Sequence, residues 1–393
     1  MMNFELLKQF MEHLTSWRIP GNDISVWKGN KEVFRYQSGY LDLEKRITMQ
    51  PDRLIYIYSC SKVALAVAVM QLFEKKEISL DDPLYEYIPQ FKDVCVMGND
   101  GSLKKSDRPI TLRHLFTMTS GMTYTMPDDI REQARQKTNS LFNTVETVKC
   151  MAQMPLVFEP GDGWKYSFSH DVLAAVIEIV SGKKYRDYVN ENIFEPLDMK
   201  DSFFHLTNDQ KNRLAPQYCF VDETGEDDLV KNQCKNAYGV GGNIVRTNDK
   251  NTIVFGSEYD SGGGGIITTV SDYGKFANAL ACSGIGKTGE RILHPETIDL
   301  LRTNQLNDIQ LKNFNWPQLT GYGYGFGIRT MINPRACNSI ANIGEFGWGG
   351  AAGASVYVDP SIGLGVFYAH HMLNPQEDYY QPRLREVIYQ CIR

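Results

Sequence analysis

The 393-residue chain is short of several features that would place a protein at once. Its longest apolar stretch, Val63 to Met70, is far below the ~20 residues that a membrane-spanning helix needs. It has no tract of lysine and arginine. Its 41 basic and 47 acidic residues are spread along the chain for a net charge of −6, so neither nucleic acid nor a membrane surface is expected as a partner. The eight cysteines (60, 95, 150, 219, 234, 282, 337 and 391) include no Cys-x-x-Cys pair, which argues against a zinc or disulfide framework and for reduced thiols. The start of the chain lacks the unbroken apolar core of a secretion signal. Phe4, Leu6, Leu7, Phe10, Met11 and Leu14 instead fall at helical spacing among charged residues, and a cytoplasmic location is expected. Several catalytic motifs are missing too. There is no Gly-x-Ser-x-Gly and no His-Glu-x-x-His, and Gly286-Lys287-Thr288 lacks a P-loop's first glycine, with Ala281 in its place. The seven histidines suggest no triad: His370-His371 reads as structural and His170 as a surface residue at a helix start. Neither metal nor cofactor is expected.

What is present is a soluble globular composition, 42% hydrophobic and 22% charged. Ile24–Lys28 and Glu32–Tyr36 alternate around Gly29-Asn30 as a β-hairpin. A short strand near Leu54–Tyr58 leads into a helix from Cys60 to Lys76 that is apolar on every side at first, the mark of a buried helix. From about 81 to 260 the chain is rich in turn signals and short helices, with one clear helix over Asp171–Val180 stopped by Gly182. Ser271 is placed to cap a helix reaching Cys282. Ala354–Val358 and Leu364–His370 read as strands, and Gln381–Ile392 as a closing helix. This predicts a single α+β domain over 1–393: an antiparallel sheet flanked by helices, built from about 1–80 and 261–393, with a mainly helical lobe inserted over about 81–260.

Ser-x-x-Lys occurs three times, and context separates the copies. Ser102/Lys105 lies in a polar loop beside Gly98-Asn99-Asp100-Gly101, with nothing apolar to exclude water. Ser181/Lys184 lies at a helix C-terminus, where the dipole opposes a developing alkoxide. Ser59/Lys62 sits where a strand meets a buried helix. There the helix N-terminus favours negative charge, and the lysine at i+3 faces the same side. Burial lowers a lysine pKa, so a neutral Lys62 can accept the serine proton. Ser59 at this junction also suits a helix N-cap, and the two roles are compatible.

Tyr58-Ser59-Cys60-Ser61-Lys62 with its apolar helix, followed by Leu80-Asp81-Asp82-Pro83, resembles serine β-lactamase-like proteins. Further matches follow in order: Ile110-Thr111-Leu112-Arg113-His114-Leu115 before Thr119-Ser120-Gly121, Pro160-Gly161 before Trp164-Lys165-Tyr166-Ser167, Gly263-Gly264 before Ser271-Asp272, and Phe346-Gly347-Trp348-Gly349-Gly350 before Asp359-Pro360. The resemblance covers roughly residues 20 to 370 and is nearest the class C lactamase branch and its lactamase-like esterases. It implies a β-lactamase/transpeptidase-like fold and acyl transfer. Ser59 is then the nucleophile, Lys62 and Tyr166 share its proton, and the N–H groups of Ser59 and Ala351 form the oxyanion hole. A cationic lysine nearby is expected to lower the Tyr166 pKa. The literal Tyr-x-Asn at Tyr188-Val189-Asn190, on a surface-like segment, and the literal Lys-Thr-Gly at Lys287-Thr288-Gly289 are both rejected in favour of Tyr166-Ser167-Phe168 and Trp348-Gly349-Gly350-Ala351.

Three departures shape the expected substrate. Phe168 stands where an asparagine would hold a polar substrate arm, Met118 where histidine is common, and Trp348 where a lysine would meet a carboxylate. Losing that cation weakens anion recognition and adds a flat apolar wall. A small uncharged ester or amide is the expected partner, with Trp348, Gly349, Gly350 and Phe168 lining its site. The alternatives are β-lactamase or D-Ala-D-Ala peptidase activity, or a non-catalytic binding or sensor homologue.

Overall fold

Gly29 and Asn30 both adopt positive φ, at 53° and 66°, the pairing a two-residue hairpin turn needs to match the twist of its strands. The turn joins β1 (Gly21–Lys28) to β2 (Lys31–Asp42). In the computed structural model, which describes residues 2–222, 242–247, 250–373 and 376–393, this hairpin continues into a sheet of eight strands. The others are β3 (Ile47–Thr48), β4 (Tyr322–Tyr324), β5 (Arg329–Met331), β6 (Phe346–Gly350), β7 (Ala354–Asp359) and β8 (Leu364–His370). Their order is β4-β5-β6-β7-β8-β1-β2-β3, and each neighbouring pair is antiparallel. The two ends of the sequence thus meet at β1 and β8, with Ile24 opposite Tyr368.

Successive strand residues face opposite sides, and each side is covered by helix. On one side α1 (Glu5–Trp17) accepts the Asn22 side-chain amide at the Met11 carbonyl, while α5 (Glu377–Ile392) meets Ser355 through the Tyr380 hydroxyl at 2.9 Å. On the other, α4 (Val270–Ala281) lies so close to β1 that a Cβ on Gly274 would sit 2.7 Å from Ser25 Oγ. The cap of α4 is Thr269, whose hydroxyl accepts the Asp272 N–H at 3.2 Å; Ser271 is already inside the helix, a correction to the expected cap. α5 likewise begins four residues before the expected Gln381.

α2 (Ser61–Glu74) is buried from Ser61 to Leu72. Its polar groups are few, and each large side chain it buries contributes roughly 1.5–3 kcal/mol. α3 (Ser169–Ser181) packs against α2 and ends at Gly182 with φ 67°, as the glycine stop predicts. Seven of the cysteines are free thiols; Cys234 lies outside the described residues. No helix among the described residues is long and apolar enough to cross a membrane.

Candidate active site

The strand before α2 is only Ile55–Tyr56, paired with Ile267–Thr268. The chain then turns sharply: Tyr58 takes φ 43°, rare for a tyrosine, and Tyr58–Cys60 forms a 3₁₀ turn that runs into α2. Such backbone costs of order 1–3 kcal/mol and must be held by its surroundings. Here the Tyr58 hydroxyl donates to Gln217 at 2.7 Å and the Tyr273 hydroxyl to the Cys60 carbonyl at 2.5 Å. The turn leaves Ser59 partly exposed between buried neighbours. Ser59 is not a cap: α2 has no side-chain cap, and the Ser59 hydroxyl is engaged by Lys62 and Tyr166.

Lys62 is fully buried, with Nζ 3.2 Å from Ser59 Oγ and 2.7 Å from the Gly263 carbonyl. Burial pulls it down to about 7, and the Asp171 carboxylate only partly offsets that. The rings of Tyr166 and Tyr124 flank the amine at 4.6 and 5.4 Å. Gly263 is obligatory here, since a Cβ would lie 2.7 Å from both Asp171 Oδ2 and Tyr124 Oη and 3.3 Å from Lys62 Nζ.

Tyr166 comes from the segment just before α3. Its hydroxyl accepts the Trp348 indole N–H at 3.2 Å and is hydrogen-bonded to Ser59, and its ring stacks on Tyr124 and Trp348. Burial raises its pKa, and the Ser59 and Trp348 hydrogen bonds do not reverse the shift. The expected lowering therefore does not occur. The lysine that would cause it is itself pushed toward its neutral form.

Trp348, Gly349 and Gly350 lie on β6, with Ala351 just beyond. A Cβ on Gly350 would stand 2.2 Å from the Ile57 carbonyl, so this glycine lets β6 approach the serine turn. Ser59, Tyr166, Trp348, Gly349 and Ala351 share one pocket of about 140 Å³. Its remaining lining is Trp316, Gln318, Leu319, Arg329, Glu377 and Gln381. Phe168 is not part of it: that ring is buried against Tyr124 at 4.5 Å and Phe255 at 5.9 Å, and the expected substrate contact is corrected to a packing role.

The rejected motifs lie elsewhere. Ser102 bonds to Asp100 and Lys105 to Asp93 on the surface, while Ser181 returns its hydroxyl to the Ile177 carbonyl. Tyr188 is buried rather than surface-like, but it lines no part of the pocket. His170 is also buried, 3.4 Å from the Phe116 carbonyl; burial and Lys62 both hold it neutral, so the expected surface position is wrong. His371 bonds to the Pro216 and Tyr40 carbonyls, as a structural histidine would.

Sequence reasoning missed Asp171, Trp316, Gln318, Glu377 and Gln381. Asp171 Oδ1 accepts from Ser261 at 2.6 Å and Tyr259 at 3.1 Å, while burial raises the carboxyl's pKa. An acid in the first turn of the apolar α3 was its only signal, and that position also suits the helix dipole. The others come from a loop and a helix whose approach depends on tertiary packing alone.

A family model described as Beta-lactamase matches residues 5–390. The chain is 27% identical to Protein Rv1367c of Mycobacterium tuberculosis, over 87% of its length and 83% of that protein's. It is also 27% identical to Esterase EstB of Burkholderia gladioli, over 91% of its length and 87% of that protein's. Among solved structures, EstCE1, a hydrolase with promiscuous acyltransferase activity, superposes with a TM-score of 0.75 at 23% identity, covering 98% of both chains. The fold is therefore shared with penicillin-binding-protein homologues and their esterase relatives, and the chain belongs to the beta-lactamase family of hydrolases.

Proposed function

We propose that this chain hydrolyses a small ester or amide that bears no carboxylate, through an acyl-enzyme on Ser59. The observation that carries this reading is the hydrogen-bonded set of Ser59, Lys62 and Tyr166 opening on a pocket lined by Trp348, where the family resemblance would put a lysine. In its neutral form Lys62 takes the proton from Ser59 Oγ as that oxygen bonds to the substrate carbonyl carbon. Negative charge then gathers on the carbonyl oxygen, where the N–H groups of Ser59 and Ala351 are the proposed donors. Tyr166, kept protonated by its surroundings, donates to the leaving group as the carbonyl–leaving-group bond breaks. The proton on Lys62 restores the phenol. Water or another acceptor repeats the sequence in reverse to release the acyl group.

The indole N–H of Trp348 supports Tyr166 without adding a charge. A cation paired with a substrate carboxylate is worth roughly 1.5–3 kcal/mol, or about ten- to a hundredfold in binding. Neither neighbouring candidate supplies it. Lys165 is exposed and does not line the pocket, and Arg329 is held by Glu345 and the Val356 carbonyl. The name of the Burkholderia esterase supports ester hydrolysis as the activity.

The expected outcome is hydrolysis of p-nitrophenyl acetate or butyrate, with slow or undetectable turnover of nitrocefin. Ser59→Ala should abolish labelling by a serine-directed phosphonate, while Ser102→Ala and Ser181→Ala leave it intact. Efficient nitrocefin turnover without esterase activity, or labelling that survives Ser59→Ala, overturns the reading.

A further inference from the structure

One wall of the Ser59 pocket is polar in a way that acyl transfer does not use. Glu377, in the first turn of α5, lines it together with Gln381, one turn further on, and Gln318. The Gln318 amide donates to Glu377 Oε2 at 3.0 Å. The other carboxylate oxygen, Oε1, has no hydrogen-bond partner among the described residues and borders the space above Gly349. A Cβ on that glycine would stand 3.1 Å from Glu377 Oε1 and 2.5 Å from Gln381 Nε2. Gln318 Oε1, close by, is a buried acceptor that also lacks a partner. Two acceptors, one of them a carboxylate, therefore stand unmet on this wall of the pocket.

The cation on the same pocket does not neutralise them. Arg329 lies between the Tyr322 and Tyr357 rings at 5.1 and 5.0 Å, pairs with Glu345 at 3.5 Å, and has Nη1 buried with no hydrogen-bond partner. Nor does the start of α5 require Glu377 in this position. Asp378, in the same turn, already sets a negative charge at the helix N-terminus, an effect worth about 0.3–1 kcal/mol.

We propose that this wall is a recognition site for a protonated amine carried by the substrate, with Glu377 as its counter-charge and specificity-determining residue. The inference rests on the Ser59 hydrolase reading and names the substrate class within it: short esters or amides bearing a basic nitrogen a few bonds from the scissile carbonyl. The size agrees, because a pocket of about 140 Å³ is comparable to a void that holds one benzene ring. The electrostatics agree as well. Burial pushes Glu377 up to about 7, with Gln318 and Arg329 only partly opposing it, so an ammonium ion here relieves a carboxylate that is otherwise only partly compensated.

Two isosteric ester pairs test this by pH-stat kinetics, one for each side of the scissile bond. Methyl β-alaninate against methyl butyrate places the amine on the acyl side. 2-(Dimethylamino)ethyl acetate against 3-methylbutyl acetate places it on the alcohol side. In at least one pair the wild-type protein should favour the amine by tenfold or more in kcat/KM, chiefly through KM. Glu377→Gln should bring that ratio to within about twofold, and Glu377→Lys should shift preference toward monomethyl succinate over methyl butyrate. Wild-type ratios near one in both pairs overturn the proposal whatever the variants do, and so does a preference that survives Glu377→Gln. A wild-type protein that hydrolyses none of the four esters strikes instead at the Ser59 reading, and this inference falls with it.

Discussion

Two buried cations lie near the same pocket and behave in opposite ways. Lys62 is fully buried and sits at about 7, near the point of losing its proton. Arg329 is 2% exposed, and although burial alone would lower it, the Tyr322 ring and Glu345 carry its pKa above the ordinary arginine value. Burial is common to both, so the difference lies in the partners. Arg329 belongs to a connected set: Glu345 accepts the Tyr322 hydroxyl at 2.6 Å, and Arg385 donates to that hydroxyl at 2.9 Å. Lys62 has two hydrogen-bond acceptors, both uncharged, and its nearest carboxylate, Asp171, is already engaged by Ser261 and Tyr259. A buried cation paired with a buried carboxylate holds structure together; one left short of negative charge is available for proton transfer.

The largest effect comes from making the first cation behave like the second. Lys62→Arg keeps the charge but cannot release it near neutrality, and turnover of p-nitrophenyl butyrate should fall by roughly 10²–10⁴-fold. A loss below tenfold would separate Lys62 from the proton transfer. Next, Glu345→Gln deprives Arg329 and Arg385 of their shared carboxylate. It should cost about 3–5 kcal/mol of stability in urea denaturation while changing kcat only severalfold. A stability change under 1 kcal/mol would mean that the tyrosine rings suffice. The smallest effect sharpens the contrast. In the proposed mechanism the neutral amine is the base, so kcat/KM should rise with pH and level off above about pH 7, where Lys62 gives up its proton. Asp171 holds that value up, so Asp171→Asn should move the acid limb to lower pH by about one unit. A limb that stays in place would show that Asp171 carries no charge in the working protein.

Much of this was legible in the sequence, for identifiable reasons. The hairpin at Gly29-Asn30, the glycine stop at Gly182 and the buried α2 follow from local patterning. Ser59, Lys62, Tyr166 and Trp348 could be placed because short motifs recur in a fixed order, which excluded the literal decoys at Tyr188 and Lys287. What failed depended on packing. His170 was assigned to the surface because the first turn of a helix usually is exposed, yet here α3 starts inside the protein. Tyr166 was assigned a lowered pKa from its neighbour's charge, but burial shifts both groups toward their neutral forms. Phe168 holds the position of a substrate contact but turns its ring toward Phe255. Glu377 had no readable signal, because α5 meets the pocket beside Gly349 through tertiary packing.

Three of the five tryptophans gather at Tyr166: Trp348 stacked at 5.7 Å, Trp316 edge-on at 5.3 Å and Trp164 tilted at 6.2 Å. Two of these, Trp316 and Trp348, line the space an acyl group on Ser59 would enter. Indole emission responds to polarity and to nearby hydrogen bonding, and the Trp348 N–H is bonded to the Tyr166 phenol, the proposed proton donor. The protein therefore carries its own optical reporter, and the filling and emptying of the pocket during a single turnover can be followed by stopped-flow fluorescence without any label.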